Sequence, residues 1–370
     1  MAVRRIVLRV VASLAAAAVA VAGFLFVHGD FQRWKDESAL DGACDGLLDR
    51  DVVRDVLGPG AVDVENTERT DMGLVRCEVQ IDGGGSADIR VLDTAYVGRD
   101  RLASLYTGPP GEAALAVPVG QGWTGLFGAR PKHVGDPFDT NEAEDVTVSL
   151  VLGCAGASRT KGLSVTVETT LDKTLDDPAN RPEFARIATS TAAKASTARR
   201  CGARLGKPVR SLGLPVNETE YRPLGTADGT CSGINVGQGV SVAIETERGG
   251  APYEMCRLAD ADLGMRYVLV ARFGPYAEEE FADNQEYDGE DVPSPDTPAH
   301  DRRPGDRTGW TTAKCSDGQA LFTLEVADGR DGDGPDETVS SSGLAYERAA
   351  LTAFAERSAK AHGCSAPVRS

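Results

Sequence analysis

The chain has 370 residues, 41% hydrophobic and 26% charged, which is long enough for about two globular domains and apolar enough to give each a core. A formal net charge of -17 repels phosphate backbones and anionic headgroups, and so excludes nucleic acid as an expected partner. Arginine outnumbers lysine, and Ala, Gly, Val and Asp are abundant, the bias of a GC-rich bacterial genome.

Residues 1–5 are expected to form a short cytoplasmic tail and residues 6–28 a transmembrane anchor. The run Ile6–Val27 is broken only by Arg9, and Val10–Val27 is uncharged. At about 1.5 Å per helical residue it covers most of a hydrocarbon core of roughly 30 Å, with Arg9 snorkelling to the headgroups. Arg4, Arg5 and Arg9 precede the run, whereas Asp30, Asp36 and Glu37 offset Arg33 and Lys35 after it. The positive-inside rule therefore places the bulk outside the cytoplasm, with Phe31 and Trp34 suited to the outer interface. The competing reading is a cleaved signal peptide, since Ala18-Val19-Ala20 and Ala20-Val21-Ala22 fit a small-x-small site. Cleavage there leaves Phe24–Val27 as an apolar terminus, which favours the uncleaved anchor; a secreted product is the alternative. The first cysteine, Cys44, lies too far along for lipidation.

Residues 29–40 read as a juxtamembrane linker, followed by extracytoplasmic repeats over 41–204 and 205–370, with a boundary near Cys201–Lys207 and almost no linker. A short helix is predicted from Leu47, Leu48, Val52, Val56 and Leu57, capped by Asp49 and stopped by Gly58-Pro59-Gly60. Arg76–Gln80 and Ala87–Leu92 form a hairpin-like pair around Asp82–Gly85. Val146–Leu152 and Leu163–Val167 are two further strands, with counterparts at Trp310–Lys314 and Ala320–Val326. Each half closes in an Ala-rich helix, Pro182–Arg200 or Leu344–His362, whose apolar spacing uses Phe184, Ile187 and Ala188, or Tyr346, Leu351 and Phe354. Hairpin strands without regular βαβ alternation give an α+β class: each repeat an antiparallel sheet with flanking helices on one face.

The two halves share spacings. Val53–Gly58 followed by Cys77 aligns with Val209–Gly213 followed by Cys231, and Cys154 with Leu163 and Val165 aligns with Cys315, Leu324 and Val326. The eight cysteines (Cys44, Cys77, Cys154, Cys201, Cys231, Cys256, Cys315, Cys364) are dispersed, with no CxxC, and His28, His133, His300 and His362 lie far apart. In an exported chain this reads as disulfides rather than zinc ligation. The preferred pairing is Cys44–Cys77, Cys154–Cys201, Cys231–Cys256 and Cys315–Cys364; the alternative joins Cys201 to Cys231 and Cys154 to Cys256.

Several segments mimic reactive motifs. Ala277–Thr308, with eleven acidic residues and four prolines, reads as a solvated acidic, Pro-rich insertion, or else as a cation- or partner-binding arm. Asp328–Glu337 offers clustered carboxylates for calcium, but Pro335 breaks the EF-hand spacing, so a polar hairpin tip is preferred. Gly120-Gln121-Gly122-Trp123-Thr124-Gly125 satisfies G-x-G-x-x-G, yet Gly128 and Pro131 deny the helix a dinucleotide site needs, leaving a turn with a packing or surface tryptophan. Gly229-Thr230-Cys231-Ser232-Gly233 imitates a nucleophile elbow without a histidine nearby in sequence, and a disulfide half accounts for it better. His133 is read as a loop residue and His362 as a helix-end residue placed at the negative pole of the dipole. No catalytic, cofactor or metal residues are assigned.

The run Cys44-Asp45-Gly46-Leu47-Leu48, the Leu57-Gly58 stop and Cys77 resemble actinobacterial membrane-anchored cell-envelope proteins and cysteine-stapled lipoprotein domains of uncharacterised activity. The resemblance spans about residues 40–205 and repeats more weakly to 370. It implies a cysteine-stapled α+β sheet domain behind an export signal, and no functional residue; a spanning anchor here replaces the lipid. The expected role is a non-enzymatic module binding a ligand or envelope protein outside the cytoplasmic membrane. The alternatives are an extracytoplasmic hydrolase and a spacer or assembly factor.

Overall fold

The computed structural model describes residues 30–67, 75–94, 115–131, 143–155, 161–216, 220–284, 292–294, 297–316, 318–327 and 340–369. The expected tail and anchor, His28, His133 and Asp328–Glu337 lie outside this set; among the described residues no helix is long and apolar enough to cross a membrane. Residues 29–40, read as a linker, are helical from Asp30: α1 spans Asp30–Gly42. It docks through Leu40, fully buried, and Asp36, whose carboxylate meets Arg54 Nη2 at 3.1 Å.

A turn at Ala43–Gly46 follows, in which Cys44 (φ 48°) and Asp45 (φ 58°) occupy the left-handed region. That costs roughly 1–3 kcal/mol per non-glycine residue and needs surrounding restraint. The Cys44–Cys77 disulfide and the Cys44 N–H donating to Asn66 Oδ1 at 3.0 Å supply it. Helix α2, Arg50–Leu57, starts as expected, with the Asp49 carboxylate accepting from the Asp51 and Val52 N–H groups. Gly58, at φ +115°, ends it in a conformation closed to side chains.

The first sheet contains β1 (Val62–Thr67), β2 (Val75–Ile81), β3 (Ser86–Asp93), β4 (Val117–Gly120), β5 (Trp123–Pro131), β6 (Ala143–Gly153) and β7 (Gly162–Thr170). All pairs are antiparallel, in the order β1-β2-β3-β7-β6-β5-β4. Helix α3, Arg181–Ala198, lies over β6 and β7 and buries Phe184, Ile187 and Ala188 against Val148, Leu150, Val165 and Val167.

The second sheet contains β8 (Arg222–Pro223), β9 (Val242–Glu245), β10 (Tyr253–Ala259), β11 (Met265–Phe273), β12 (Ala299–His300), β13 (Thr308–Cys315) and β14 (Gly318–Val326), in the order β12-β13-β14-β11-β10-β9-β8. Helix α4, Pro275–Asn284, follows β11, and α5, Ser341–Ala361, closes the chain over β13, β14 and β11 with Leu351 and Phe354 inward.

The sheets share one connectivity, β1-β2-β3-β7-β6-β5 matching β9-β10-β11-β14-β13-β12. This upholds the alignment of Cys154 with Cys315 and corrects that of Cys77 with Cys231. Cys77 lies within β2 and its counterpart is Cys256 within β10; Cys231, ahead of β9, matches Cys44, ahead of β1. Val209–Gly213 forms no helix; residues 202–215 run without regular structure, a connector where almost no linker was expected.

The acidic insertion is also corrected. Its first part is α4, held by Ala277 and Phe281 packing on Trp310 and Leu321, and residues 299–308 are ordered around a buried Arg302. Composition misled because one aromatic per helical turn suffices when the sheet supplies the other wall. Gln285–Asp291, Pro295 and Asp296 lie outside the described residues.

Thr147, Ser149, Ser164 and Thr166 alternate with the apolar residues of β6 and β7 and are nevertheless buried, because this face meets the matching face of the second sheet. Leu92, Leu115 and Leu126 from the first half join Ile244, Tyr253, Met255, Val270 and Tyr276 from the second in one cluster, and Ser149 Oγ lies 3.3 Å from Tyr276 OH. The layers are helix, sheet, sheet, helix.

The G-x-G-x-x-G segment proves to be the β4–β5 turn, as read, and Trp123 is a packing residue. Its indole Nε1 donates to Lys207 O at 2.8 Å, and Gln121 both donates to Ser211 O and accepts from the Arg210 N–H. The turn thereby grips the connector, with Gly206 flat against the indole. A Cβ on Gly206 would sit 2.3 Å from Trp123 Cδ1. Gly206→Ala is therefore expected to lower stability by about 1–3 kcal/mol. An unchanged urea midpoint would show that the connector is not held this way.

Candidate functional site

All eight cysteines pair as preferred: Cys44–Cys77, Cys154–Cys201, Cys231–Cys256 and Cys315–Cys364. The fold then gathers polar groups that are scattered in sequence at one end of the second sheet, on its α5 side. The Cys231–Cys256 bond pins the loop 228–234 beside β9 and β10, and the last turns of α5 bring Arg357, Ser358 and His362 onto it.

In this cluster Glu245, 5% exposed, accepts from the Asp228 N–H at 3.1 Å and the Cys231 N–H at 2.9 Å. Glu254, 3% exposed, accepts from Ser358 Oγ and lies 2.9 Å from His362 Nε2, whose ring stacks on Phe273. Thr230 Oγ1 donates to Met255 O at 2.6 Å, and Arg248 Nη2 donates to Thr230 O at 3.2 Å. Arg357 lies over Gly233, where a Cβ would come within 2.2 Å of its Nε, and donates from Nη1 to Ser232 Oγ.

A serine, a histidine and a carboxylate thus meet beside the elbow-like loop, which the sequence did not reveal because Glu254 and His362 are separated by 108 positions. The order is wrong for nucleophile activation. In a working triad the imidazole stands between hydroxyl and carboxylate; here both Ser358 and His362 address Glu254, and Ser358 is fully buried. Cys231 is a disulfide half, as read.

At the opposite end of α5, Arg302 forms a two-point pair with Glu347, Nε to Oε2 at 2.7 Å and Nη2 to Oε1 at 2.8 Å, both side chains 3% exposed. The cavity beside them, about 10 Å³ and lined by Leu324, Leu344 and Leu351 among others, holds at most one water. His300 Nε2 lies 2.9 Å from Asp306 Oδ2 and its ring stacks on Trp310. Burial raises Asp306, but the hydrogen bonds from His300 and the Arg303 N–H overcome that and hold it below the usual carboxylate range. A broader depression between α2 and α3, about 470 Å³, is lined by Asp51, Val52, Arg54, Asp55 and Arg186. Its charges are paired, Arg186 with Asp55 at 2.7 Å and Arg54 with Asp36. Among the described residues no group of three His, Cys, Asp or Glu side chains is placed to hold a metal ion.

Charged groups adjoin the apolar seam between the sheets. Arg272 reaches Glu280 Oε2 at 3.1 Å and Thr323 Oγ1 at 3.3 Å and lies over the Tyr253 ring. Burial, then repulsion from Glu280, outweighs Arg272 and raises Glu325. Burial pushes Tyr253 up to about 12, does the same to Tyr346, and raises Tyr267 and Tyr276 further. Each tyrosine is neutral when protonated and holds its proton more tightly folded than unfolded. Their contribution is complete below the unfolded value of about 10 and is lost as pH rises toward the folded values. Tyrosinate absorbance should therefore show Tyr253 and Tyr276, the two that face the seam, titrating only together with unfolding. Smooth titration near pH 10 with intact circular dichroism would contradict the buried seam.

No family model matches the chain, and no curated protein matches it. Solved structures with some likeness include the di-domain ARO/CYC StfQ from the steffimycin biosynthetic pathway, at 13% identity over 75% of this chain and 99% of that one, TM-score 0.19. The Pseudomonas aeruginosa MucA/MucB complex shows 10% identity over 78% and 86%, TM-score 0.14. DynU16, from the dynemicin biosynthetic locus, shows 13% over 75% and 97%, TM-score 0.11. Scores this low carry no argument about fold or function.

Proposed function

We propose that this chain is a non-enzymatic binding module on the outer side of the cytoplasmic membrane, tethered by residues 6–28, its two related halves presenting surfaces to a ligand or another envelope protein. Four disulfides suit an oxidising compartment, and so support the location. The observation that carries the non-enzymatic reading is the state of the buried carboxylates. Glu245, Glu254 and Glu347 are each engaged by partners within the fold, whereas a general acid or base must face a cavity that a substrate can enter. The spacer or assembly reading draws on the gripped connector and the shared seam, which favour one stiff body.

The test uses the full chain in intact cells, with a photo-crosslinking residue at exposed Tyr221 or Val236. A discrete adduct with one envelope component, lost when the probe moves into the core, supports a binding module. No adduct from any surface position, together with turnover of an envelope ester or glycan by the purified chain, replaces it with a hydrolase.

A further inference from the structure

Arg248 and Arg357 both bond to the 228–234 loop, and neither forms an ion pair with a carboxylate among the described residues. Arg248 comes from the β9–β10 connection and Arg357 from the penultimate turn of α5, so the pair is created by tertiary packing alone. The Arg248 guanidinium is partly buried, and its Nε is enclosed without a hydrogen-bond partner. Its Nη2 is held by Thr230 O. Arg357 is set by Gly233 beneath it and by Ser232 Oγ, which uses only Nη1.

The neighbouring carboxylates are the opposing consideration. Both act on Arg248, but each also has partners of its own: Glu254 has Ser358 and His362, and Glu245 has two backbone N–H groups of the 228–231 loop and Arg222 Nη1 at 3.6 Å. Burial lowers Arg248 from its ordinary range; Glu254 raises it, Arg357 lowers it, Glu245 raises it again, and the net direction is down. Two guanidinium groups are thus bonded to the same loop, Arg248 at Thr230 and Arg357 at Ser232, and the Cys231–Cys256 disulfide fixes that loop.

We infer that Arg248 and Arg357, with the Ser232 hydroxyl, form a binding site for a small oxyanionic group, a phosphate or a carboxylate, carried by the ligand of this module. Guanidinium groups present forked donors that match such an anion, and the anion supplies a counter-charge to both. The site gives the proposed binding module its ligand class and rests on that reading for its biological use. Its chemistry is tested separately, so a failed crosslinking experiment leaves the titration below intact.

The experiment uses the purified full-length chain and titrates inorganic phosphate, then acetate, against chloride at matched ionic strength, following heat of binding and thermal midpoint. Saturable stabilisation by phosphate alone assigns the phosphate class; saturable stabilisation by acetate as well assigns the carboxylate class. Arg357→Gln, at an exposed position, weakens the dissociation constant about tenfold, the loss expected for one charge-assisted contact. Arg266→Gln, which breaks an exposed pair with Asp260 elsewhere on the second sheet, leaves it unchanged. No saturation beyond the chloride effect, or equal affinity in Arg357→Gln and the unaltered chain, overturns the proposal.

Discussion

Replacing Cys315 and Cys364 together by alanine is expected to lower the unfolding free energy by about 4 kcal/mol, from the chain entropy released when a loop of this length is opened. The bond spans 49 positions and joins the end of β13 to the residues just past α5, so it ties the closing helix to the sheet it covers. Cys154–Cys201 spans 47 and does the same for α3, with a similar expected loss. The four bonds should separate by accessibility as well. Cys44, Cys77, Cys231 and Cys256 are at most 1% exposed, whereas Cys154, Cys315 and Cys364 are partly open. Thiolate attack requires access, so graded reductant opens the two helix-tying bonds first. Guanidinium midpoints of the double variants and mass spectra of alkylated intermediates check both statements. Double variants as stable as the parent, or early reduction of Cys231–Cys256, would contradict them.

Glu347→Ala is the second large effect, an expected loss of about 3–5 kcal/mol, because it leaves the Arg302 guanidinium buried without its counter-charge. The pair sits between α5 and the strand-flanking segment before β13, and Arg302 Nη1 also donates to Asp306 O at 2.7 Å. The argument is about an orphaned charge, so it makes a discriminating prediction. The double variant Arg302→Met, Glu347→Leu, which removes both charges while keeping volume, should recover most of the loss. Denaturant unfolding of the two singles and the double closes the cycle; a double variant as unstable as the sum of the singles would falsify the ion-pair account.

The sequence made legible what depends on local pattern. Asp49 and Gly58 bracket α2 because a cap and a left-handed stop act within a few residues. The closing helices and the cysteine pairing followed from apolar spacing and from intervals that repeat. Misalignment of Cys77 with Cys231 arose because Val209–Gly213 copies the apolar pattern of α2 while running as connector, held by Gln121 and Trp123 from far upstream. The seam was hidden for a related reason. Thr147 and Ser149 alternate with valine and leucine as a solvated face would, and only the presence of a second sheet makes that face internal. The site at Arg248 and Arg357 left no sequence signal, since its members come together only when α5 docks on the β9–β10 end.

In each sheet the strand made last lies near the middle: β7 enters between β3 and β6, and β14 between β11 and β13. A polypeptide emerging amino-terminus first therefore shows two unmatched backbone edges until that keystone arrives, 69 positions after β3 ends in the first half. Neither half has a stable stopping point short of its final strand. Assembly must wait for translation, and for any passage through a membrane, to deliver residues 162–170 and 318–326, and shielding of the waiting edges falls to whatever accompanies the chain until then.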